Sequence, residues 1–96
     1  MKDTLTITDD LRVCMEKCAE LNKARMDAII TYQQACIQDA SEEVCSSAFS
    51  KQEQVDDNFA TSCRVLVYGI LEAMGIDYIT AEQQEAIDKI NDYYDQ

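Results

Sequence analysis

From Leu11 onward the chain places residues on one stripe in alternating steps of three and four: Leu11, Cys14, Cys18, Leu21, Arg25, Ala28, Tyr32 and Ala35. All but Arg25 are apolar or semi-apolar. A helix turns once in about 3.6 residues, so this spacing lines up one face. Met15, Met26, Ile29, Cys36 and Ile37 widen that stripe into a core-facing band. Thr8 is a good N-cap, and Asp9 and Asp10 place carboxylates at the positive end of the helix dipole. The pattern predicts a helix over about 9–39, preceded by a flexible lead-in at 1–8.

Ser41, with Glu42 and Glu43 behind it, is the next N-cap, so the connection is short and the second helix should return antiparallel to the first. That helix is expected over 42–74. Its apolar positions are Val44, Cys45, Ala48, Phe49, Val55, Phe59, Cys63, Leu66, Val67, Ile70, Leu71 and Met74, and Gly75 is a natural stop. Residues 51–57 are its weakest stretch, with Val55 the sole apolar anchor, and mark where it would break. A short third helix is expected over about 81–94. Thr80 and Gln83 have capping-box spacing, and Ile79, Ala86, Ile87, Ile90 and Tyr94 form its apolar stripe. This helix is expected to pack across one end of the hairpin.

The cysteines give the hairpin a register. Cys18 and Cys36 lie 18 residues apart, as do Cys45 and Cys63, and the position numbers of Cys18/Cys63 and of Cys36/Cys45 both total 81. Other pairs with that total are mostly apolar: Leu11 with Ile70, Cys14 with Val67, Met15 with Leu66, Met26 with Val55, Tyr32 with Phe49, and Ile37 with Val44. Arg25 falls opposite Asp56, which suggests a polar layer that fixes register.

Composition agrees with this fold class. Ninety-six residues, 47% of them hydrophobic, suit one small domain over 1–96, and two glycines with no proline favour an all-α chain over a turn-rich β fold. No apolar run approaches the length of a membrane span. The first ten residues hold no apolar signal region, so the expected compartment is the cytoplasm, or an oxidising or secreted setting if the cysteines are bonded.

Three readings of the cysteines stand side by side. They can be reduced core residues, since a free thiol behaves as a small hydrophobe. They can staple the hairpin through Cys18–Cys63 and Cys36–Cys45, leaving Cys14 as the odd thiol. They can bind Cu(I) or Zn, because Cys14 and Cys18 share a helix face, although no histidine and no Cys-x-x-Cys pair supports a closed site, and no metal or other cofactor is expected. The spacing loosely resembles cysteine-lined helical bundles that store copper, which carry many more cysteines. It matches neither the twin-cysteine hairpins of the mitochondrial intermembrane space nor the saposin-like domains.

Function is read mainly by exclusion. The chain has no histidine, glycine-rich phosphate loop or basic patch, so no catalytic residue is proposed and a non-enzymatic role is expected. A net charge of −11 disfavours direct contact with nucleic acid or an anionic membrane and favours a basic protein surface. The last third is the most acidic part. Asp77, Tyr78, Glu82, Glu85, Asp88, Asp92, Tyr93 and Asp95 are the candidate partner-binding residues, with carboxylates able to stand in for phosphates. The leading expectation is an inhibitor or immunity-type binder of the phage or mobile-element kind, occluding a basic partner, with nucleic-acid mimicry as one version. The alternatives are a disulfide-stapled structural or secreted protein and a cysteine-based metal binder. Val65, Val67, Tyr68, Leu71 and Ile30 exceed what one intramolecular face uses, so a homodimer is also expected.

Overall fold

The computed structural model describes residues 2–95, which form three helices and no strand: α1 (Asp9–Ile37), α2 (Glu42–Met74) and α3 (Ala81–Tyr94). α1 and α2 pack along their lengths as the antiparallel hairpin that the apolar spacing predicts. The caps are those anticipated. The Thr8 hydroxyl accepts from the Leu11 amide at 3.2 Å, and the Ser41 hydroxyl accepts from the Val44 amide at 3.3 Å.

α1 ends two residues before the expected position 39, because Asp39 adopts φ 55°. The Ala40 amide then donates back to the Ala35 carbonyl at 3.0 Å, the closure that glycine usually makes at a helix C-terminus. Asp tolerates this conformation better than most residues. At the end of α2, Gly75 supplies φ 70° and the Ile76 amide donates to the Leu71 carbonyl at 2.9 Å.

α2 runs unbroken through residues 51–57. Two causes combine. Lys, Gln and Glu are good helix formers, and Gln52 and Val55 continue a row of three-four steps through Cys45, Ala48, Phe59, Ser62, Leu66 and Gly69. Val55 is the best-buried residue of α2, at 6% exposure, so one valine supplies the apolar contact of the polar stretch, with Gln52 and Asp56 half-buried beside it.

The matching row on α1 meets this one in the manner of an antiparallel coiled coil. Small residues line the seam, and a Cβ built on Gly69 would lie 3.2 Å from the Leu11 side chain, which places glycine where the helices approach closely. The core is thin. Leu11, Cys18, Ala28, Ala35 and Val55 are the buried apolar residues, and no side chain among the described residues is buried completely.

α3 does not pack across the end of the hairpin. It makes no packing contact with α1 or α2, and every residue in it is exposed. The hairpin end near Met74 already has an occupant, since the Lys2 amide donates to the Met74 carbonyl at 2.8 Å and Leu5 is half-buried. Residues 2–8 are otherwise irregular, and Met1 and Gln96, the ends of the expected single domain, lie outside the described residues. With α3 projecting, the molecule measures 52 × 38 × 19 Å.

Candidate protein-interaction surface

α3 begins with a full capping box: the Gln83 amide donates to the Thr80 hydroxyl at 3.0 Å, and the Thr80 amide donates to Gln83 Oε1 at 2.8 Å. Once the helix is set, its period separates two faces. Glu85, Asp88 and Asp92 fall in one strip with Asp95 at its end, and Glu82 lies beside it. Ala86, Ile87, Ile90 and Tyr94 form the opposite strip, with Ile90 56% exposed.

Within the acidic strip, Glu85 pairs with Lys89 at 3.4 Å and Asp88 accepts from the Gln84 amide group at 2.9 Å. Asp92 and Asp95 have no side-chain ion pair among the described residues, and they sit at the C-terminal end of a helix whose last turn has no basic residue. The dipole there is negative, so these carboxylates are in an unfavourable place. Tyr93 and Tyr94 meet edge to face at 5.3 Å and are 73% and 78% exposed.

The structure divides the predicted binding residues. Glu82, Glu85, Asp88, Asp92, Tyr93 and Asp95 share α3 or its cap, and Asp77 is exposed in the connection. Tyr78 turns away to α2. Its ring stacks on Tyr68 with centroids 4.9 Å apart, and its hydroxyl donates to Glu72. The Glu72 acceptor raises the Tyr78 hydroxyl above the ordinary tyrosine value, with partial burial adding to the shift. Neither Tyr68, expected only as surplus apolar surface, nor Glu72 was among the expected partner-binding residues. Their signal was a Tyr and a Glu one helical turn apart, just before the glycine stop, which reads equally well as solvated surface.

Away from α3, Arg25 Nε donates to Asp56 Oδ1 at 2.6 Å, and its guanidinium lies 5.7 Å from the Phe59 ring centroid. The polar layer expected from the register is therefore present. Tyr32 and Phe49, another pair totalling 81, have ring centroids 5.4 Å apart.

All five cysteines are free thiols. Cys18 is buried and its Sγ lies 3.3 Å from Ser62 Oγ, while Cys63 is half-buried beside it. Burial, with the Cys18 thiol as neighbour, raises the Cys63 thiol above its ordinary value. Cys36 and Cys45 both act on Tyr32. Its hydroxyl is raised chiefly by a hydrogen bond with Cys36, with smaller contributions from burial and from Cys45. Among the described residues, no group of three or more Cys, Asp or Glu side chains is placed to hold a metal ion, and no helix is long and apolar enough to cross a membrane.

No protein-family model, curated protein or solved structure matches the chain.

Proposed function

We propose that this chain is a small acidic, non-enzymatic interaction protein, an inhibitor or immunity-type binder that uses α3 to occlude a basic surface on a partner protein. One observation carries this reading. α3 is a well-capped amphipathic helix with an acidic strip, an exposed tyrosine pair at its tip, and no packing against α1 or α2. A helix of 14 residues is marginal in water unless something packs on it. Asp92 and Asp95 add to that marginality by opposing the helix dipole, and a cationic surface relieves both costs at once. The carboxylates repeat every three or four residues, about 5–6 Å apart along the helix, and so present a row of anions of the kind a nucleic-acid-binding surface accepts.

The test compares the wild-type chain with Glu85→Gln/Asp88→Asn/Asp92→Asn as bait in extracts of its own cell. A stoichiometric partner retained by the wild type and lost by the triple variant is expected, with association slowing at least about tenfold as salt shortens the Debye length. A partner held equally by both baits, or binding indifferent to salt, overturns the reading.

A further inference from the structure

The hairpin has a second unpartnered face, on the flank of the α1–α2 seam that carries Arg25–Asp56 and Tyr32–Phe49. Met15, Met26 and Ile29 on α1 and Phe49, Val67 and Ile70 on α2 lie along it, and four of the six are more than 40% exposed. We propose that this face docks on the same face of a second copy of the chain, giving a two-fold dimer in which two hairpins form a four-helix layer pair.

The surface area argues for it first. The accessible surface is 7593 Å², whereas a compact monomer of this mass exposes about 5,600 Å². The radius of gyration of 19.0 Å likewise exceeds the value of about 12.5 Å for a compact chain of this length. The excess is about 2,000 Å² per chain, part of it from α3. If association removed half of that excess from each copy, it would bury about 2,000 Å² in all, the lower bound of obligate homodimer interfaces.

Charge selects the occupant. A chain of net charge −11 repels its own copies except where it presents no uncompensated carboxylate. Along the row nearest the seam, every seventh residue from Met15 on α1 and from Phe49 on α2, the one charge is Asp56, and Arg25 holds it at 2.6 Å. The opposite flank also exposes apolar residues, Val13, Val44, Val65 and Tyr68, but sets them among Lys17, Lys51 and Glu72, and neither lysine has an ion-pair partner among the described residues. A strip whose one charge near the seam is held by an ion pair within its own chain is self-complementary under a two-fold axis, and Arg12 and Glu53, in the outer rows of Met26 and Val67, lie at its rim. The dimer does not involve α3, so it stands or falls independently of the partner-binding reading.

The experiment is sedimentation equilibrium of the full reduced chain over a hundredfold dilution, paired with thermal melts at each concentration. A mass twice 10.9 kDa and a melting temperature that rises with concentration are expected. A monomer throughout, with full helicity and a concentration-independent melt, overturns the proposal. Met26→Glu and Val67→Glu should each weaken the dimer by about 100-fold, since each places a charge in an apolar contact. Thr61→Glu, on the other flank, should leave it unchanged. A dimer broken by Thr61→Glu and indifferent to the other two overturns the choice of face.

Discussion

At the residue scale, the thiols are set by the seam they occupy. Cys18 is buried in the seam against Ser62, and Cys63 lies beside it with its thiol raised chiefly by burial. A raised thiol favours the protonated form in the folded chain. Its contribution to stability is complete below the unfolded-state value of about 8.5 and is lost as pH rises through the folded-state value. Urea melts should therefore show a larger fall in stability between about pH 8 and 9.5, below tyrosine ionisation, for the wild type than for Cys63→Ala. Equal falls in the two would show that the thiol does not titrate in that environment. The numerical symmetry of the cysteines located this contact but not its chemistry, because spacing puts sulfurs at one level without determining whether they are bonded.

At the scale of elements, the helices themselves were legible and one detail of their seam was not. Leu11 to Ala35 advertises α1 by period alone, and Thr8, Ser41, Thr80 and Gly75 mark boundaries by their own chemistry. The row on α2 was obscured because Gln52, Ser62 and Gly69 sit in it as seam residues while reading as polar or breaking. Gln52 is half-buried, and its side-chain oxygen is buried without a hydrogen-bond partner among the described residues. An acceptor in that state costs about 1–3 kcal/mol. Gln52→Leu, similar in volume, should raise unfolding stability by about 1 kcal/mol in chemical denaturation. A loss of stability would mean that the oxygen finds a partner in solution.

At the scale of the whole molecule, charge and shape work against each other. A net charge of −11 on a molecule with a thin core produces self-repulsion that little apolar burial offsets. Melting temperature should accordingly rise by a few degrees as monovalent salt increases from low to physiological ionic strength, because screening relieves that repulsion. No change on adding salt would place the charges too far apart to interact. The opposite salt response is expected of partner binding through α3, so the two effects are separable in one salt series.

The sequence by itself determined three helices, the hairpin and its register, because periodicity, caps and the Arg25–Asp56 match are local or pairwise facts written in residue order. Of the candidate surface, it placed the acidic residues together on one face of a C-terminal helix, since a helix face follows from spacing alone. Tertiary structure decided that α3 stands clear of the hairpin and that Tyr78 leaves the acidic set for Tyr68 and Glu72. It also decided that an apolar flank beside Arg25 and Asp56 goes uncovered. Those outcomes depend on which elements compete for the same space, as the N-terminal segment does at Met74, and that competition has no signature in the order of residues.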